Sequence, residues 1–168
     1  ESEKLYQNLE STYIRDALTG LYNRRGFSQH AQMLMNKAKE QGKCFFVVAA
    51  DLDKLKFIND TYGHAEGDRA LIAMARALKM AAGEDTVCAR MGGDEYSVAG
   101  ICDNQKDADA FLERLEKCRR ELEIHVSYGM IVTDLKVEHR LEYYMNLSDS
   151  YMYQDKVSKR KSGGEIDA

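Results

Sequence analysis

The sequence predicts an α+β domain, a central and mostly antiparallel sheet with helices packed on it. Three observations carry that expectation. Residues 44–51 (CFFVVAAD) form an apolar run of strand length without polar alternation, the pattern of an interior strand buried on both faces. Residues 86–91 and 96–101 are two short strand candidates around Gly92-Gly93-Asp94-Glu95, and paired glycines between strands signal a tight hairpin. Amphipathic helical segments are interleaved with these, so the order reads strand, helical segments, hairpin, helix, strand, helix.

Proline is absent, so helix breaks must come from glycine and polar turns. Residues 1–15 are polar with sparse apolar points at Leu5, Leu9 and Ile14, and read either as a frayed end or as a leading, signalling helix. The expected division is that linker helix over 1–15 and one domain over 16–168. Asn23 can cap a helix through Phe27, Ala31, Leu34 and Ala38 that ends at Gly42. Residues 54–63 look turn-rich. Residues 64–82 carry Ala70, Leu71, Met74, Ala75 and Leu78 on one helical stripe. A charged amphipathic helix is expected over 104–122, a strand over 124–133, a last helix over 138–159, and a loose polar end from Ser162.

The chain of 168 residues is one domain in size. Its net charge of -4 argues against a duplex nucleic-acid partner, which demands a basic surface. No apolar run approaches a membrane span, so no membrane contact is expected of this segment. Because it opens on Glu1, the chain is expected to be a piece of a longer protein, cytoplasmic and bacterial, with any sensor or membrane anchor elsewhere. Cys44, Cys88, Cys102 and Cys118 form no Cys-x-x-Cys pair, so a zinc site is not expected and a reducing compartment is.

Four groups of residues bear chemistry. In Asp51-Leu52-Asp53, Asp51 closes the apolar strand of 44–51, where a carboxylate can project into a cleft; alone, it is an ordinary polar strand end. Asp94 and Glu95 follow two glycines that let backbone approach a ligand closely, although a plain turn with solvated acids has the same appearance. If the strand and the hairpin are neighbours, Asp51 and Asp94 converge, and two carboxylates without a basic partner call for a cation between them. Hard cations such as Mg²⁺ accept few protein carboxylates and complete their shell with water and phosphate oxygen. Residues 56–68 (KFINDTYGHAEGD) gather Asn59, His64 and Asp68, and an amide with a carboxylate can read the edge of guanine. Lys156 and Arg160, one helical turn apart, are either a phosphate grip or a solvated helix end.

Residues 16–27 (DALTGLYNRRGF), 51–68 (DLDKLKFINDTYGHAEGD) and 90–96 (RMGGDEY) together resemble the three signatures of GGDEF domains, and the resemblance runs from about 16 to 160. It implies a fold like the palm of nucleotide cyclases and polymerases. It also implies diguanylate cyclase activity: two GTP molecules condensed into cyclic di-GMP by a homodimer with Mg²⁺ (or Mn²⁺). By the same resemblance, Asp51, Asp94 and the backbone carbonyl of Leu52 hold metal. Asp94 acts as base with Glu95 in support, and Lys56 stabilises the transferring phosphoryl group. Asn59 and Asp68 read guanine, and His64 lies in the substrate site. Gly92 and Gly93 hug the nucleotide, while Lys156 and Arg160 meet phosphates. A catalytically weak module that binds GTP or a partner and regulates an attached domain is the alternative.

The chain departs from the family pattern at several positions. Tyr96 stands where phenylalanine is usual, Lys54 and Leu55 replace an apolar or aromatic pair, Asp155 replaces alanine, and Lys161 replaces asparagine. Gly83 and Thr86 occupy the Arg and Asp positions of the family's inhibitory Arg-x-x-Asp product site, so no product inhibition is expected there. Asp68 favours GTP over ATP, because a carboxylate meets the acceptor N1 of adenine unfavourably.

Overall fold

The computed structural model describes residues 1–163. Its elements in chain order are α1 (Ser2–Ile14), α2 (Arg24–Gln41), β1 (Cys44–Leu52), α3 (Leu55–Tyr62), α4 (His64–Ala81), β2 (Thr86–Gly92), β3 (Glu95–Cys102), α5 (Gln105–Glu121), β4 (Val126–Thr133) and α6 (Leu141–Gly163). The four strands form one sheet in the order β2-β3-β1-β4, and β1 pairs antiparallel with both neighbours. The expected α+β architecture is therefore the observed one, with the apolar run as an interior strand.

Strand parity sorts the core into two layers. Phe46, Val48, Ala50 and Leu52 of β1 pack with Leu71, Met74 and Leu78 of α4 and with Phe111 and Leu115 of α5. Phe45 and Val47 face the other way, into a cluster with Phe27, Ala31 and Ala38 of α2 and with Leu141 and Tyr144 of α6. Asp51 has the parity of the second set, so the strand aims it toward the α2 and α6 side. On that side α6 lies directly on β4: a Cβ at Gly129 would stand 2.1 Å from the Ser148 carbonyl oxygen and 2.2 Å from the Met152 nitrogen.

Local signals account for the element ends. Asn23 accepts a hydrogen bond from the Gly26 amide and Gly42 closes α2 in the left-handed region with φ 63°. Asn104 caps α5 by accepting from the Asp107 amide. Tyr96, the departure from phenylalanine, donates its hydroxyl to the Leu71 carbonyl at 2.7 Å, so the added oxygen is satisfied inside the core.

Three expectations need correction. Residues 55–62 are not a turn-rich stretch but the helix α3, entered through Lys54 at φ 64° and closed by Gly63 at φ 93°. Its polar residues mimic a turn signal, and packing against α4 overrides that signal. The last helix begins at Leu141, not at 138, because Thr133 and Asp134 accept from the Leu135 and Lys136 amides and hold the connection non-helical. Ser162 and Gly163 belong to α6, whereas the remainder of the expected loose end, 164–168, lies outside the described residues. Among the described residues, no helix is long and apolar enough to cross a membrane.

The backbone contact at Gly129 makes a sharp test of this packing. Gly129→Ala is expected to destabilise the domain by about 3 kcal/mol, since the helix backbone of α6 that it would meet cannot yield as a side chain would. A denaturant titration with an unchanged midpoint would contradict the placement of α6.

Candidate functional site

The register of β1 against β3 builds the centre of the site. Asp51 stands opposite Glu95, and the ladder continues one step further, where the Leu52 amide donates to the Asp94 carbonyl at 3.0 Å. Asp94 therefore occupies the turn beside the end of β1, and its carboxylate acts on that of Asp51. Asp51 is 6% exposed. Its Oδ2 accepts from Lys156 Nζ at 2.8 Å, while Oδ1 is buried without a hydrogen-bond partner.

Burial pushes the Asp51 carboxyl up to about 7; the Lys156 hydrogen bond opposes this and the Asp94 charge adds to it. One ammonium thus does not fully compensate a buried acid lying beside a second acid. The unpartnered Oδ1, the neighbouring Asp94 carboxylate and the adjacent Leu52 backbone make a donor set that fits a hard divalent cation. Among the described residues, no group of three or more His, Cys, Asp or Glu side chains could hold a metal, so such an ion would need further oxygens from a ligand or water. The second acid of the strand end, Asp53, is engaged elsewhere: both its oxygens accept from Ser127 Oγ, at 2.9 and 3.0 Å.

The hairpin tip is open. Gly92 and Gly93 have φ 147° and 52°, and a Cβ at either would meet nothing within 4 Å. Positive φ explains why glycine is used at these two positions, and the open space beside them leaves room for a ligand. Glu95 is exposed and Asp94 half-buried.

The other expected residues lie on α3, α4 and α6. Lys56, His64 and Asp68 are exposed, and His64 and Asp68 sit one turn apart at the start of α4. Asn59 leans across the same helix start, with its Oδ1 1.8 Å from where a Cβ at Gly67 would be, so only glycine at 67 admits this side chain. Among the described residues, no hydrogen bond or ion pair joins Lys56, Asn59, His64 or Asp68 to Asp51 or Asp94. Lys156 is brought to the Asp51 carboxylate directly, and Arg160 on the next turn keeps its Nε buried and unpartnered.

A second network, not legible in the sequence, fixes the hairpin. Arg90 donates through Nε to the Gly93 carbonyl at 2.9 Å and through Nη1 to Asp16 Oδ1 at 3.2 Å. Its amide donates to the Tyr22 carbonyl at 2.9 Å. Asp16 also accepts from the Thr19 amide and hydroxyl, at 2.9 and 2.7 Å. The turn between α1 and α2 is thereby tied to the glycine tip. The α1 helix is in turn held to α2 by Arg25 stacked 4.0 Å over Tyr13 and by Asn23 Nδ2 donating to the Tyr13 carbonyl. The available signal was two signature segments carrying opposite charges, Asp16 and Arg90, at positions whose spatial proximity no spacing rule reveals.

Although burial opposes it, hydrogen bonds from Thr19 and the charge of Arg90 hold the Asp16 carboxyl below its ordinary value of 3.8. A depressed carboxyl contributes stability above its unfolded-state pKa and loses it as pH falls through the folded-state value. Asp16→Ala is expected to cost roughly 2 kcal/mol at neutral pH. The difference from the parent should shrink as pH falls below 3.8. Urea titrations across that range check it, and a pH-independent difference would exclude the ion pair as the cause.

A family profile described as diguanylate cyclase, GGDEF domain, matches residues 13–162. A probable diguanylate cyclase of Escherichia coli, DgcJ, is 34% identical over 160 residues, covering 93% of this chain and 32% of that protein. A cyclic di-GMP phosphodiesterase of Shewanella oneidensis, PdeB, is 36% identical over 103 residues, covering 61% of this chain and 11% of that protein. The diguanylate cyclase SiaD of Pseudomonas aeruginosa, solved with its activator SiaC, superposes with a TM-score of 0.81 at 28% identity, covering 94% of this chain and 63% of that one. The chain therefore spans about a third or less of these two curated relatives. Because the profile match extends over most of its residues, the chain belongs to the GGDEF domain family.

Proposed function

We propose that the chain is a diguanylate cyclase that condenses two GTP molecules into cyclic di-GMP and pyrophosphate. The observation carrying this reading is the buried convergence of Asp51 and Asp94, with one Asp51 oxygen unpartnered beside an open glycine tip. Asp51, Asp94 and the Leu52 carbonyl are the residues that would hold Mg²⁺ (or Mn²⁺). When bound, that ion supplies charge stabilisation at phosphate and acidifies the attacking hydroxyl.

The chain's own residues do the rest. Asp94, with Glu95 beside it, accepts the proton of the 3′-hydroxyl. The 3′-oxygen forms a bond to the α-phosphorus of the other nucleotide as the bond to pyrophosphate breaks. Lys56 and Arg160 offset phosphoryl charge. Lys156 is the counter-ion of Asp51 in the ligand-free protein, and it becomes available to triphosphate oxygens once another cation serves that carboxylate. Asn59 and Asp68 read guanine, His64 lines the same site, and Gly92 and Gly93 admit the nucleotide close to the backbone. Each domain holds one GTP, so a homodimer brings two half-sites together. The α1 helix, fixed to α2 and through Tyr22 to the hairpin, is the natural route for control from a preceding segment, with the domain proper over 16–168. A cytoplasmic setting, as part of a larger protein that is itself anchored or sensory, fits this role.

The segment at Gly83 and Thr86 borders a cavity of about 320 Å³ rich in acids, Glu84, Asp85, Asp103 and Asp107. Arg114 on its rim donates to the Ala81 carbonyl instead of pointing to a ligand. Asp85 and Asp103 there pair with Lys37 and Lys43, so those lysines are engaged within the protein, and neither the Arg nor the Asp of the product motif is present.

A second reading, a nucleotide-binding module without turnover, is favoured by one observation, the similarity to part of a phosphodiesterase. Incubating concentrated protein with GTP and Mg²⁺ and weighing the product separates the two. Cyclic di-GMP should form, Asp94→Asn should lose at least about a hundredfold in rate with its fold intact, and ATP should be a poor substrate. GTP binding by a verified dimer without product would establish the second reading. Added cyclic di-GMP should not slow turnover; inhibition abolished by changes at 83–86 would contradict the reading of that cavity. Because the Asp51 carboxyl sits near 7, its proton competes with the cation. The Mg²⁺ needed for half-maximal rate should rise as pH is lowered from about 8 to about 6.

A further inference from the structure

Lys156 reaches Asp51 from a helix whose neighbouring turn is clamped to the sheet edge. In the β1–β4 ladder the Asp53 amide donates to the His125 carbonyl at 2.8 Å, so the odd-numbered residues of β4 bond to β1 and the even-numbered ones face outward. β4 ends the sheet, which leaves the outward groups of Val126 and Tyr128 to find other partners. One turn of α6 supplies both. Asp155 Oδ2 accepts from the Tyr128 amide at 2.9 Å, and Lys159 Nζ donates to the Val126 carbonyl. Asp155 and Lys159 pair with each other at 3.3 Å, and the Lys159 ammonium lies 5.6 Å over the Tyr128 ring. Lys156 stands on that same turn, beside Asp155, and its side chain is 14% exposed.

We propose that Asp155 is a positioning residue: by holding the edge amide of β4 it fixes the α6 turn from which Lys156 meets Asp51 and, in the reaction proposed above, GTP phosphate. Ion pairs as exposed as Asp155–Lys159 contribute little by themselves. The charge-assisted bond from a carboxylate to an edge amide is stronger and directional. Alanine at 155 would suit the helix better, so its effect should come from lost positioning and not from lost helix propensity. The proposal rests on the GTP reading for its functional half only, since the arrangement of Lys156 on Asp51 stands apart from any ligand.

The test has two arms on the full chain. Calorimetry with 3′-deoxy-GTP and Mg²⁺, which lacks the attacking hydroxyl, measures binding without turnover. Asp155→Ala should weaken it by roughly fivefold to tenfold, and Asp155→Asn, whose amide oxygen still accepts from Tyr128, should restore most of it. Reductive methylation followed by peptide mapping measures exposure of Lys156, which should react several times faster in Asp155→Ala than in the parent. Lys159→Met, with the Val126 bond removed, should move both readings the same way and serves if the alanine variant unfolds. A lowered melting temperature with unchanged affinity would make Asp155 merely structural and overturn the proposal, as would unchanged Lys156 reactivity. If the parent protein fails to bind 3′-deoxy-GTP, the GTP reading falls, and the methylation arm alone decides whether Asp155 positions Lys156.

Discussion

Two acids drawn together at a buried strand end impose a demand for positive charge, and the rest of the site is arranged around it. Asp51 is shielded from water, Asp94 lies against it, and the only cation in contact with Asp51 among the described residues is the Lys156 ammonium. Unpaired, such a carboxylate would carry a desolvation cost of several kcal/mol. With Lys156 the cost is reduced but not removed, which is why the carboxyl stays high and one oxygen remains without a partner. A site of this kind is stable enough to fold and still short of charge, the condition under which a divalent ion with a polyphosphate adds most.

The scaffold meets that demand through register. Parity along β1 points Phe45 and Val47 into the α2–α6 layer and, two further steps on, Asp51 as well. Antiparallel pairing with β3 then puts the glycine tip alongside, and the Arg90 bonds to Gly93 and Asp16 stop that tip from wandering. From the opposite side α6 presses on Gly129 and delivers Lys156. Three segments far apart in the chain therefore converge on one carboxylate, each held by contacts that have nothing to do with chemistry.

Most of the architecture was legible because the local signals agree with the global fold. The unalternating run of β1, the Gly-Gly hairpin and the Asn23 cap each mean one thing in isolation and the same thing in context. The helix α3 was missed because Asn59, Asp60 and Gly63 signal a turn locally, and only packing on α4 makes them helical. For the site, the acids and glycines were readable from type and spacing, whereas their partners were not. Nothing in the sequence says that Asp53 is taken by Ser127, that Asn59 needs Gly67 opposite it, or that Asp155 closes a sheet edge. Those pairings depend on register and helix docking, which are properties of the assembled sheet.

If Asp51 and Asp94 act as one cation site, removing either charge must empty it. The most direct measurement is a Mn²⁺ titration followed by electron paramagnetic resonance, with 3′-deoxy-GTP present, on the parent protein and on the single variants Asp51→Asn and Asp94→Asn. Bound Mn²⁺ is expected in the parent and its loss in each variant, with fold retained by circular dichroism. Full binding in either folded variant would contradict it.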